Sequence, residues 1–219
     1  MGVINLDGLG TGLDCADALP DNARMTKTRL EAFSDGVIAI LITIMVLELK
    51  IPHGDSFDSI SPLWPVFLTY VLSFIYLGIY WNNHHHMLQA TRSIDGRIMW
   101  ANLNLLFWLS LFPFATGWMG ENHFASLPAA VYGVVQISAA VSYTILQTLI
   151  VRHQGGENEK LKQAIGRDLK GKASIVLYAA AIPLAFVDRW ISFAIYAGVA
   201  AMWLIPDKRI ERTVHVHEE

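Results

Sequence analysis

The chain has 219 residues, 53% of them hydrophobic and 16% charged, with a net charge of −3 and a single cysteine, Cys15. Soluble domains carry about 25% charged residues, so this composition, with a mean hydropathy of +0.39, describes an integral membrane protein. The lone thiol excludes an intrachain disulfide framework and a thiolate-bound metal, and the slight negative charge argues against a nucleic-acid partner.

Residues 1–24 are polar and rich in Gly and Asp, without the basic-then-apolar layout of a signal peptide, and read as a disordered tail. The next stretch, 25–207, holds six apolar runs and reads as one six-helix domain. The runs extend from Leu30 to Leu49, Pro62 to Met87, Ile98 to Met119, Ser126 to Val151, Ala173 to Val187 and Trp190 to Ile205. Each approaches the length of about 17–25 residues that crosses a bilayer as a helix. The runs are too continuous for the alternation of an outer-membrane barrel, so the expected class is an all-α membrane protein. Pro62, Pro65 and Pro128 sit at helix starts, whereas Pro113 and Pro183 fall inside spans and predict kinks. The link through Asp188-Arg189 is short enough to predict a tight hairpin of the last two spans. Gly155 to Lys172 reads as an amphipathic helix on the membrane surface, and 208–219 as a cytoplasmic tail. Of the 16 Lys and Arg residues, 14 fall on one side of this six-span layout, which places both termini in the cytoplasm.

The first span carries the unusual chemistry. Its uncharged run, Gly36 to Leu47, is only 12 residues long, against about 20 for a lipid-facing span, with Asp35 at one end and Glu48 at the other. Charges at membrane depth face protein or water, so this helix belongs inside an assembly, beside a pore or cavity. Ile40, Thr43, Ile44 and Leu47 follow the i, i+3, i+4, i+7 spacing of one helical stripe. Branched apolar side chains with one hydroxyl make a narrow, dry lining that can gate by dewetting, and they suit ordinary helix packing equally well. Asp35 lies roughly 140° from Ile40 around the helix and so faces neighbouring helices. It either caps the helix start or joins a buried polar network with Ser34 and with histidines from elsewhere.

The second span ends in Trp81-Asn82-Asn83-His84-His85-His86. Three consecutive histidines diverge by about 100° each on a helix, so no two share a face, and no further His-rich segment of that kind occurs. A metal or haem site is therefore disfavoured, and the histidines read as part of a hydrogen-bond network in which one or two of them meet Asp35. No nucleophile–base pair, glycine-rich phosphate loop or Thr-Val-Gly-Tyr-Gly filter occurs, so neither enzymatic chemistry nor a cofactor is expected.

Three motifs together, Arg29-x-x-x-Phe33-Ser34-Asp35 followed by Val-Leu-Glu-Leu, Trp81-x-Asn83-His84-His85, and Leu111 to Thr116 (Leu-Phe-Pro-Phe-Ala-Thr), resemble the bacterial branch of the endolysosomal transmembrane potassium channel family. The resemblance covers Met25 to Arg212. It implies a homotetramer in the bacterial cell membrane, with the first helix of each chain lining a central pore. Ile40 then matches the constriction, Ile44 and Leu47 further apolar rings, and Thr43 the residue that favours K⁺ over Na⁺ without a carbonyl filter. Arg29, Phe33, Ser34 and Asp35, with Trp81, Asn83, His84 and His85, would form a network supporting the inner half of the pore. K⁺ would be the permeant ion, and no other metal is implied. The competing expectation is a proton-coupled secondary transporter using Asp35 and His84; the internal repeats and broken helices usual in transporters are not evident.

Overall fold

The computed structural model of the chain describes residues 21–154 and 169–204. Most of the predicted tails, and most of the predicted surface helix between Gly155 and Lys172, lie outside the described residues. Among the described residues all regular structure is helical. The order is α1 (Asp21–Leu47), α2 (Phe57–Ile60) with a 3-10 turn at Ser61–Leu63, α3 (Trp64–Gln89), α4 (Gly96–Ser110), α5 (Phe112–Glu121), α6 (Ser126–His153), α7 (Leu169–Leu184) and α8 (Arg189–Leu204). Four rods are long and apolar enough to cross a membrane: residues 27–47, 57–89, 96–121 and 126–153. The helices α7 and α8 have 16 described residues each, about 24 Å at 1.5 Å per residue. Helix α1 starts at Asp21, earlier than the tail boundary read from composition, so residues 21–24 are helical.

The helix ends follow from local chemistry. Pro65 stands in the first turn of α3, where its missing N–H is not needed. Asp95 caps α4, its Oδ1 accepting the Ile98 N–H at 2.9 Å. That bond, with help from His153 and Arg97, lowers the Asp95 pKa from its usual carboxylate value. The contribution is therefore present above the ordinary carboxylate pKa and lost as pH falls through the lowered one. Asp188 does the same for α8 by accepting the Trp190 N–H at 2.8 Å, which closes the predicted hairpin of α7 and α8.

Both interior prolines act more sharply than as kinks. The third span is broken at Leu111 into α4 and α5, and Pro113 occupies the first turn of the second piece. Pro183 sits in the last turn of α7, which stops at Leu184. A proline removes one i→i−4 bond and crowds the preceding turn, which favours a break where tertiary packing can take up the new direction.

The core is aromatic and wired. Tyr76 from α3, Tyr132 from α6, Tyr178 from α7 and Tyr196 from α8 are all fully buried, and Phe112 at the α5 start meets the rings of Tyr76 and Tyr132 edge-on. Their hydroxyls find partners, as buried phenols must. The Tyr76 hydroxyl donates to the Tyr196 carbonyl, and the Tyr196 hydroxyl donates to the Ala129 carbonyl at 3.0 Å. The Tyr132 hydroxyl pairs with Ser73 Oγ at 3.0 Å, and Ser73 also accepts from Thr116 Oγ1 at 2.7 Å.

Helix α3 packs between α1 on one flank and α5 and α8 on the others, so α1 lies at one margin of the bundle, against α3, α4 and α5. Where α3 meets α5 the backbones nearly touch. A Cβ built on Gly120 would lie 2.7 Å from Val66 Cα, an atom that no side-chain rotation can move. Gly120→Ala should therefore cost about 1–3 kcal/mol of overpacking. Gly117→Ala on the same helix meets open space and serves as the control. Thermal unfolding in detergent checks this, and equal midpoints for the two variants would show that the contact is not tight.

Candidate functional site

Helix α1 has two faces of opposite character. Leu30, Ser34, Ile38, Leu41 and Met45, at spacings of three and four, are buried against the neighbouring helices. The opposite side is open along its whole length. Phe33 is 52% exposed, Ile40 57% and Leu47 79%, and Arg29, Gly36, Thr43 and Ile44 are exposed with them. Phe33 precedes Ile40 by seven residues, two helical turns, which puts it on the stripe and not in the polar network where the motif suggests it. Arg29 lies at the N-terminal end of the same stripe. Its side chain makes no hydrogen bond or ion pair among the described residues.

Thr43 is the only hydroxyl on this stripe between Phe33 and Leu47. Its Oγ1 donates to the Ile40 carbonyl at 2.8 Å, a common fate for a hydroxyl within a helix. The hydrogen is thereby directed at the helix backbone, and the oxygen lone pairs are left facing outward. Just beyond the C-terminal end of α1, Lys50 pairs with Glu121 at the end of α5 at 2.7 Å, which raises the Lys50 pKa.

Behind the stripe, α1 is pinned at Ser34 by a buried polar chain. Ser34 Oγ donates to the Leu30 carbonyl at 2.8 Å and accepts from Asn102 Nδ2 at 2.9 Å. That fixes the amide so that Asn102 Oδ1 meets His84 Nε2 at 2.7 Å. The neutral ring then carries its hydrogen on Nε2, and His84 Nδ1 is left without a hydrogen-bond partner. Ser34, Asn102 and His84 are all fully buried, so this chain ties α1, α4 and α3 together where water does not compete.

A second, shallower cluster lies beside it. Trp81 Nε1 donates to Asp35 Oδ1 at 3.1 Å, and the Trp81 ring stacks on His85 with centroids 5.7 Å apart. His85 Nδ1 lies 3.2 Å from Glu31 Oε1 but is not aligned for a hydrogen bond.

The structure thus divides what the sequence grouped. Ser34 and His84 belong to the buried chain, and Asp35, Trp81 and His85 to the shallow cluster. Asp35 and His84 share no hydrogen bond, so the pair a proton-coupled transporter would use is split. Asn83 joins neither group. Its amide donates to the Ile79 carbonyl at 2.8 Å, and it lines a small cavity with Tyr80, Tyr143 and Ser174 on the far side of α3. Two residues were missed, Asn102 and Glu31. An isolated amide inside an apolar span was the available signal for Asn102, since such groups are expensive in a membrane unless bonded. For Glu31 the signal was its position one turn before Asp35.

Comparison with known proteins gives a consistent picture. Residues 29–113 match the family described as endosomal/lysosomal potassium channel TMEM175. A potassium channel of Chryseobacterium sp. (strain P1-3) is 56% identical over 190 residues, 87% of this chain and 98% of that one. A potassium channel of Streptomyces collinus is 34% identical over 126 residues, 54% of this chain and 61% of that one. Among solved structures, a lysosomal potassium-selective channel TMEM175 homolog from Chamaesiphon minutus superposes with a TM-score of 0.73 at 27% identity, covering 83% of this chain and 97% of that one. The matched segment of the family holds both the α1 stripe and the polar groups behind it.

Proposed function

The chain belongs to the endosomal/lysosomal potassium channel TMEM175 family, and from that premise we propose that it is a K⁺-permeable cation channel of a bacterial cell membrane, built from four copies around one axis with α1 innermost. The observation that carries the reading is the open stripe of α1. It is apolar apart from Thr43, it begins at the charged Arg29, and its 12-residue uncharged run spans about 18 Å, well short of the roughly 30 Å of hydrocarbon. A helix of that kind is poorly suited to lipid and well suited to a water-filled axis. One such helix cannot enclose a pore, whereas closed cyclic symmetry supplies the others.

In this arrangement Ile40 forms the tightest ring and Ile44 and Leu47 form further apolar rings. Selectivity comes from Thr43 and not from backbone carbonyls. Both termini lie in the cytoplasm, which the distribution of Lys and Arg supports. The deciding experiment reconstitutes the purified chain and measures reversal potentials under bi-ionic K⁺ and Na⁺. Unitary currents that reverse in favour of K⁺ are expected. Saturating, ion-coupled flux without unitary currents would overturn the channel reading.

Two further outcomes follow. Thr43→Ala should lower the K⁺ to Na⁺ permeability ratio severalfold, since it removes the oxygen on the stripe that can replace water around a cation. An unchanged ratio would take Thr43 out of selectivity. In a Cys15→Ser background, Leu47→Cys should cross-link between chains under mild oxidation, because equivalent positions meet at a narrow axis. If the protein runs as a monomer in detergent and no cross-link forms, α1 is not central.

A further inference from the structure

We infer that Glu31, Asp35 and His85 form a binding site for a divalent transition-metal ion, of the Zn²⁺ type, at the inner end of the seam between α1 and α3. The three residues each offer one ligand atom, and these atoms all lie within 4.8 Å of one another. Ligands about 2.1 Å from a shared tetrahedral ion stand about 3.4 Å apart, so small side-chain rotations close the set. Glu31 and Asp35 are one turn apart on α1 and share a face, which is the helical spacing that chelation needs. The histidine triplet of α3 lacks that spacing. The site becomes possible because a second helix supplies the two carboxylates to one imidazole.

Three details point to a ligand and not to an ion pair alone. First, the Nδ1 of His85 faces Glu31 Oε1 at 3.2 Å without hydrogen-bond alignment, as two ligands of one ion would stand. Second, Lys27, one turn before Glu31, donates its Nζ to the Gln89 carbonyl at 3.1 Å and acts on Glu31 through its field, leaving the carboxylate oxygens to other partners. Third, the ligands are already held from behind: Trp81 donates to Asp35 Oδ1 and its ring stacks on His85. Supporting contacts of this sort orient ligands and sharpen affinity. One imidazole with two carboxylates suits a borderline ion and is poorly matched to Mg²⁺, which keeps its water and prefers oxygen. An ion here bridges α1 to α3 and fixes the inner end of the stripe. That consequence for permeation rests on the channel reading; the binding does not.

The test is calorimetric titration of ZnCl₂ into the full-length chain in detergent, with Cys15→Ser, His215→Ala and His217→Ala removing other soft ligands. One Zn²⁺ per chain should bind, undisturbed by excess Mg²⁺. Adding His85→Ala or Glu31→Gln should weaken binding by about 100-fold or more, and adding His123→Ala should leave it unchanged. Should His85→Ala not purify folded, His85→Cys decides instead, since a thiolate should shift the preference from Zn²⁺ to Cd²⁺. Absence of Zn²⁺ binding, undiminished binding in the Glu31 and His85 variants, or loss with His123→Ala would each overturn the site. Because binding is read without flux, its failure and the failure of the channel reading are separate results.

Discussion

Ile40→Asn should make the proposed pore leaky relative to the parent. Ile40 is exposed in the middle of the α1 stripe, with Thr43 and Ile44 one turn beyond and Phe33 two turns before. Around the proposed central axis its side chains would exclude water, and a dry constriction is a free-energy barrier to any hydrated ion. An amide of similar size lets water remain. Each 1.4 kcal/mol removed from the barrier is about tenfold in rate, so K⁺ efflux from loaded vesicles should rise by about tenfold or more. The protein should elute and melt as the parent does, because nothing buried is altered. A folded Ile40→Asn variant with parental flux would place the constriction elsewhere, with Leu47 the next ring to test.

The largest stability loss should come from Asn102, a residue outside the motif. Asn102→Ala removes the amide that joins Ser34 to His84. It leaves the His84 Nε2–H without an acceptor in a fully buried site, where Nδ1 already has no partner. A single interhelical hydrogen bond in a membrane protein averages only about 0.6 kcal/mol. An orphaned buried donor costs about 1–3 kcal/mol, and the small cavity adds to it. The total should be about 2–4 kcal/mol, read as a lowered unfolding midpoint in detergent. Asp35→Ala should cost less, since the Trp81–Asp35 bond lies near the surface of the single chain. If Asn102→Ala melts with the parent while Asp35→Ala does not, the shallow cluster is the true anchor.

The apolar runs gave six helical rods in the right order because hydrophobic length is a direct physical requirement of spanning. The two interior prolines show the limit of that reading. Local sequence says where a helix is weak, but whether it bends, breaks or stops depends on packing, here of Phe112 among tyrosines. The polar site was partly legible for a similar reason. Helical spacing sorts residues into faces, so the open stripe and the inward turn of Ser34 follow from α1 alone. Which partner each face meets is set by the other helices. Neither the choice of Asn102 over Asp35 for His84 nor the departure of Asn83 to the far side of α3 could be read from a motif on one helix. The pairing of His85 with Glu31 required the register between α1 and α3, which no local pattern encodes.

The contact at Gly120 has a mechanical meaning. With no side chain between them, the backbones of α3 and α5 cannot slide past one another without first separating. The two helices act as a single beam, and α3 carries the buried His84 and the Trp81 and His85 of the shallow cluster. Helix α1 is tied to that beam at Ser34, through Asn102, and at Asp35, but beyond them it meets its neighbours through Ile38, Leu41 and Met45, apolar side chains with no directional bond to break. Compliance along α1 is therefore concentrated in its C-terminal half. The radius of an axis lined by α1 would change by swinging of that half about its tied end against a stiff frame, not by distortion of the frame.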